Sequence, residues 1–331
     1  MLDVLLVTIP FFALVLCGYV AARRRMLPLE TISGLNSFVL YFALPCLLYR
    51  FGASTPIAQL LDGAAIAVYL LCALVLVGFV VTASMNRRIG WNDAAFGALV
   101  AAFPNTGFLG VPLLVALLGA AAAGPAILTI LVDLLVTSSL CVALSRLDGA
   151  DENGVAQSKC VDHSPRVTAR HALAGVALNP MPWAILLGGM SSALQMRPLE
   201  PVMQTIGLLA DAASPVALFT IGAVLARSQF MAAQREQAPM PLRDYVPVAL
   251  IKLVIHPLLV LVVGAAAAYM GVPLDRFALT VMVLVAALPS ASNVALLAER
   301  FGADTGRIAR IILLTTGASF LTFSGAVALV R

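Results

Sequence analysis

The chain has 331 residues, of which 61% are hydrophobic and 11% charged, with a formal net charge of +4 and a mean hydropathy of +1.01. A soluble domain carries about 25% charged residues, so this composition excludes a soluble domain, and with it disorder, a coiled coil and a disulfide-rich secreted scaffold. The solvent for most of the chain is lipid, and it reads as an all-α polytopic membrane protein.

A membrane span needs roughly 20 apolar residues. Ten candidates follow one another: 4–22, 33–51, 62–84, 93–118, 124–145, 172–194, 203–226, 245–270, 274–299 and 306–330. The first precedes its arginines (Arg23, Arg24, Arg25), whereas a secretory signal has its basic segment first. It is therefore expected to be a retained helix with its N-terminus outside. With that start, fifteen of the twenty basic residues fall in inside loops, and only Arg50, Arg197, Arg276 and Arg331 fall outside. Ten spans thus agree with the positive-inside rule at every loop, and both termini lie outside. Cys17, Cys46, Cys72, Cys141 and Cys160 have no CxxC spacing and read as small buried hydrophobes.

The one long polar segment, Arg146 to Arg170, divides the chain into two sets of five spans. Five is odd, so the second set enters the membrane from the opposite side. Related halves would then form two inverted five-helix repeats, an architecture of many secondary transporters. Internal similarity supports the relation. AAFPNTGFLGVP (101–112) in the fourth span matches AALPSASNVALL (286–297) in the ninth, and FALPCLLYRFGAS (42–54) in the second matches DAASPVALFTIGA (211–223) in the seventh.

Proline inside a helix removes a donor and clashes with the preceding turn, at a cost of about 3 kcal/mol. Pro45 and Pro215 read as kinks. Pro104 and Pro289 differ, because Asn105 and Thr106 follow the first and Ser290, Ser292 and Asn293 follow the second. Amide and hydroxyl groups beside a proline at membrane depth point to broken fourth and ninth spans that turn polar groups toward a cavity. Two facing breaks would aim half-helix N-termini, each worth roughly +0.5 of a charge, at one place, which attracts an anion.

Ionisable residues within spans need a reason. Lys252 and His256 stand at i and i+4, on one face of the eighth span. Lys252 is expected to neutralise an anionic substrate, or to pair with Asp133 of the fifth span when the site is empty; it is also near enough to its span's start to snorkel. Asp133, His256 and Asp211 are candidates for ion or proton coupling, Asp211 also fitting a water-filled vestibule. Asp62 and Asp93 read as helix caps. No HExxH, GxGD or GxSG occurs, and His163, His171 and His256 have no metal-ligand spacing, so neither an enzyme nor a metal site is expected.

Six segments resemble the auxin efflux carrier family: FALPCLLYRF (42–51), PNTGFLGVPLL (104–114), LNPMPWAILLGG (178–189), ASPVALFTIGAVLA (213–226), KLVIHPLLV (252–260) and LPSASNVALLAERFGAD (288–304). That family includes the plant PIN auxin exporters and bacterial malonate or organic-acid permeases. The resemblance implies a fold similar to the bile-acid sodium symporters. Scaffold helices would occupy 1–60 and 172–228, transport helices 61–146 and 244–331, and a cytoplasmic loop 147–171. It also implies a crossing at Pro104–Asn105 and Pro289–Ser290, with the substrate held between crossing and scaffold. The short mid-chain loop departs from the many plant members with a large regulatory one.

The expected function is secondary transport of a small organic anion, malonate-like or auxin-like, by an elevator-like movement. Asn105 and Asn293 would bind the carboxylate, with Thr106, Ser290, Ser292 and Lys252 beside them. An anion channel or a membrane receptor on the same fold is the alternative. A bacterial inner membrane, proton or sodium coupling and a homodimer are the expected setting, with no cofactor and no nucleic acid.

Overall fold

The structure, a computed structural model, describes residues 2–56, 62–86, 88–147, 180–196, 198–234 and 240–330. The expected loop 147–171 lies almost wholly outside these residues, with Cys160, His163 and His171, as does the start of the expected sixth span at 172–179. Twelve helices make up the described residues. They are α1 (Leu2–Arg23), α2 (Thr31–Ser54), α3 (Gly63–Ser84), α4 (Trp91–Ala102), α5 (Thr106–Leu118) and α6 (Ala120–Leu144). Then come α7 (Pro180–Ala193), α8 (Glu200–Gln234), α9 (Val246–Tyr269), α10 (Arg276–Ala286), α11 (Asn293–Arg300) and α12 (Thr305–Val330). Six of them, α2, α3, α6, α8, α9 and α12, are long and apolar enough to cross a membrane alone, and shorter apolar helices fill the rest.

Proline shapes several of these helices. A π-helical turn runs over Val39–Ala43 two residues before Pro45, over Thr106–Gly110 before Pro112, and over Ile251–Ile255 before Pro257. Each proline lacks the N–H that would close a normal turn, and widening the preceding turn relieves its clash with the carbonyl four residues back. The expected bend at Pro45 therefore takes the form of a wide turn, whereas α8 runs without interruption through Pro215. A fourth π turn, Asp133–Thr137, has no such proline; the Ser138 hydroxyl donates to the Asp133 carbonyl at 2.7 Å there.

Two tight seams organise one side of the molecule. α1 packs along α8, and α7 packs along α2. A Cβ on Gly18 would overlap the Phe219 carbonyl, and one on Gly222 the Val15 carbonyl; Gly188 stands in the same way against Tyr49. Only glycine lets these backbones touch, the means by which helices pack in lipid, where apolar burial gives no driving force. A separate buried core joins α3, α6, α9 and α10 through Val68, Tyr69, Leu128, Val132, Val260 and Met282.

Capping follows the sequence at α3, where Asp62 accepts from the amides of Ala64 and Ala65 at 3.0 and 3.1 Å. Asp93 acts otherwise. It sits in the first turn of α4 and accepts the Asp304 amide at 2.7 Å, so it ties α4 to the α11–α12 loop. Its carbonyl accepts from buried Arg307, whose Nε donates to the Asp244 carbonyl, and one arginine thereby joins the starts of α4, α9 and α12.

Candidate functional site

α4 stops at Ala102 and α5 starts at Thr106; α10 stops at Ala286 and α11 starts at Asn293. The two intervening segments run antiparallel and pair at Pro104 and Ser290. The Asn105 amide donates to the Pro289 carbonyl at 2.8 Å, and the Ala291 amide donates to the Phe103 carbonyl at 3.0 Å. The prolines account for this pairing. Each interrupts its helix and frees backbone groups where no water satisfies them, and the opposite break supplies the partners. The expected breaks are thus present, and they meet.

Around the crossing, Asn105, Thr106 and Ser290 are all buried. The Asn105 carbonyl accepts from the amides of Leu109 and Gly110, which fastens the first turn of α5. The Ser290 amide donates to the Thr315 hydroxyl of α12 at 3.3 Å. Thr315 carries no signal in sequence, being one hydroxyl in an apolar helix. The buried Ser290 Oγ and Asn293 Oδ1 have no hydrogen-bond partner among the described residues.

A small cavity of about 20 Å3 opens at this place, lined by Asn105 and Asn293 together with Leu44, Leu48 and Met181. A smaller one of about 10 Å3 is lined by Ser292 and Asn36, and Phe108 forms part of the wall of both. The carboxamides of Asn105 and Asn293 and the N-terminal ends of α5 and α11 converge on the larger cavity.

The ionisable groups lie elsewhere. Lys252, His256 and Asp133 are 0–1% exposed, in the core shared by α3, α6, α9 and α10. Asp133 accepts the Tyr69 hydroxyl at 3.0 Å and the Thr137 hydroxyl at 3.1 Å. Lys252 Nζ donates to the Ala286 carbonyl at 3.0 Å and lies 3.0 Å from His256 Nδ1. Lys252 and Asp133 are within electrostatic reach of each other without a direct bond. So Lys252 is in neither cavity wall. It holds the last residue of α10, three positions before Pro289. Tyr69 was not singled out from the sequence, where it is one tyrosine in a 22-residue apolar helix. Asp211 belongs to neither group; it is exposed and pairs with Arg50 at 2.6 Å, joining α8 to α2.

The chain matches the family described as "Membrane transport protein" over residues 4–327. It is 28% identical over 325 residues to a protein of Rhizobium meliloti named "Putative malonate transporter", covering 98% of this chain and 94% of that one. It is also 28% identical over 306 residues to the "Uncharacterized transporter YfdV" of Escherichia coli K12, covering 90% and 88%. An "Uncharacterized transporter" of Methanothermobacter thermautotrophicus is 27% identical over 304 residues, covering 92% and 90%. A match across nearly the whole chain, on a helical frame with paired breaks, makes this a multi-pass membrane transporter and not an enzyme, and the chain belongs to the membrane transport protein family, that of the auxin efflux carriers.

Proposed function

We propose that the protein is a secondary active transporter of a small organic anion, which it binds at the crossing between Asn105 and Asn293. The observation that carries this reading is the pairing of two proline breaks beside a cavity where both carboxamides and two helix N-terminal ends converge. Thr106, Ser290 and Ser292 supply further hydroxyls. The name of the Rhizobium meliloti relative favours a malonate-like dicarboxylate over an auxin-like monocarboxylate.

Counting α4 with α5 and α10 with α11 as single broken spans gives ten spans in two inverted sets of five. Several pairs support that repeat at a constant spacing of 170 positions: Gly18 with Gly188, Pro45 with Pro215, and Gly52 with Gly222. The two seams correspond under the same relation, since α1 on α8 is the counterpart of α7 on α2. α1, α2, α7 and α8 form the scaffold of this reading, and the other helices the transport domain that slides past it between outward-open and inward-open states. The basic loops favour both termini outside.

Thermal unfolding of the purified protein across a panel of mono- and dicarboxylates, on wild type and Asn105→Ala, tests the reading. A ligand that binds only the folded state at 100 times its dissociation constant adds about 2.7 kcal/mol. One carboxylate is expected to stabilise wild type and not the variant, and to show saturable counterflow in proteoliposomes. Stabilisation by neutral or cationic solutes alone would overturn it.

A further inference from the structure

Asp133 and Lys252 are buried together in an apolar core, yet neither belongs to the wall of the anion cavity. Their hydrogen bonding assigns the charges. With Lys252 as an ammonium, which has donors only, His256 Nδ1 accepts from it and the ring hydrogen sits on Nε2, which has no partner among the described residues. A second proton on His256 would put two positive charges 3.0 Å apart in an apolar medium, so Lys252 is the one cation of the pair. Asp133 has a hydroxyl at each oxygen, and both donate to it when it is a carboxylate. One negative and one positive charge cancel, and the cluster is neutral as it stands.

We propose that the Tyr69–Asp133–Lys252–His256 cluster is a proton-binding site filled together with the transported anion, which makes the carrier a proton–anion symporter; this rests on the anion-transport reading above. A singly charged anion, a monocarboxylate or a dicarboxylate that keeps one proton of its own, adds one negative charge at the crossing to the moving part of the protein. A proton on Asp133 leaves Lys252 uncompensated, and its positive charge balances the cargo. Net charge within lipid is costly, so the neutral loaded and neutral empty forms are those that cross. The hydroxyls of Tyr69 and Thr137 can each donate or accept, and the carboxyl keeps its hydrogen bonds in either state. The link to the cargo is short: Lys252 donates to the carbonyl of Ala286, and Pro289, three residues on, accepts from the Asn105 amide. His256 positions the ammonium and does not take the proton.

Around Asp133 stand Tyr69 from α3, Thr137 and Cys141 from its own helix and Lys252 from α9; Cys72 lies beside Tyr69, His256 beside Lys252, and α10 contributes the Ala286 carbonyl to Lys252. Charges on the other packed helices are engaged elsewhere, Asp93 of α4 and Arg307 of α12 with the ends of their helices and Arg50 of α2 with Asp211.

Malonate and indole-3-acetate serve as probes. In weakly buffered detergent solution containing a pH indicator, binding of the effective probe to wild type should take up about one proton per negative charge on the anion. In proteoliposomes, an inside-alkaline gradient of one pH unit should support about tenfold accumulation for each proton carried with the anion. In Asp133→Asn, any remaining uptake should carry no proton and ignore the gradient. Should that variant fail to fold, Tyr69→Phe keeps the carboxyl and ring but removes one of two donors, and it should move the pH profile of accumulation. Wild-type counterflow without proton uptake, an Asp133→Asn protein that still follows the gradient, or an unmoved Tyr69→Phe profile overturns the proposal. Absence of counterflow for every carboxylate overturns the anion reading instead.

Discussion

Asn105 and Asn293 line the same cavity from opposite halves of the chain, and under the proposed function each would offer a neutral donor to the anion. A hydrogen bond to a charged group is worth about 1.5–3 kcal/mol, so replacing either asparagine by alanine should weaken half-saturation in counterflow by about 10–100-fold. Asn293→Asp should abolish counterflow, because a carboxylate would face the carboxylate of the substrate. At this scale the sequence is legible where a residue conflicts with its setting. Asparagine and proline in an apolar run conflict with lipid, and the breaks could be read from that alone. Lys252 and Asp133 conflict too and were singled out, but their partners were not legible. The Ala286 carbonyl has no side-chain signature, and Tyr69 and Thr315 are ordinary residues until the fold sets them beside Asp133 and Ser290. Asp211 shows the converse, a conspicuous charge whose partner, Arg50, lies at the end of another helix.

Among the helices, the strictest demand is the contact of α1 with α8. Gly18→Ala would drive a methyl group into the Phe219 carbonyl. We expect it to lower the midpoint of thermal unfolding, whereas Gly34→Ala in α2 should leave it unchanged or raise it slightly. A Cβ at position 34 meets nothing within 4 Å, and alanine is favoured over glycine in a helix by about 0.5–1 kcal/mol. Equal losses in the two variants would mean that close approach is not what holds the seam. Element positions were readable because each apolar run is long and bounded by charge. The wide turns were not, because proline announces a disturbance without fixing its form: Pro45 is accommodated by a π turn, and Pro215 within a continuous helix.

For the whole molecule, the inverted arrangement makes a prediction about sidedness. Met26 and Leu199 are 76% and 77% exposed and follow the first span and the sixth. With the native cysteines replaced, Met26→Cys should react with an impermeant maleimide only from the cytoplasmic side and Leu199→Cys only from the outside. Labelling of both from one side would refute the ten-span topology. The charge distribution carries that proposed topology in the sequence, whereas the packing of α1 on α8 and of α7 on α2 is seen only in the structure.

The buried polar groups differ in how far along the chain their partners lie, and this has a consequence for biogenesis. Asp133 finds Tyr69 and Thr137 within the first half, and Lys252 finds His256 and Ala286 within the second. Neither half needs the other to satisfy these side chains while the ribosome is still at work. The two breaks are the opposite case, since Asn105 and Phe103 wait for Pro289 and Ala291. The residues around Pro104 enter the bilayer with their backbone unmatched and stay so until nearly nine-tenths of the chain has been synthesised, so the carrier is complete as a membrane protein before it is complete as a receptor.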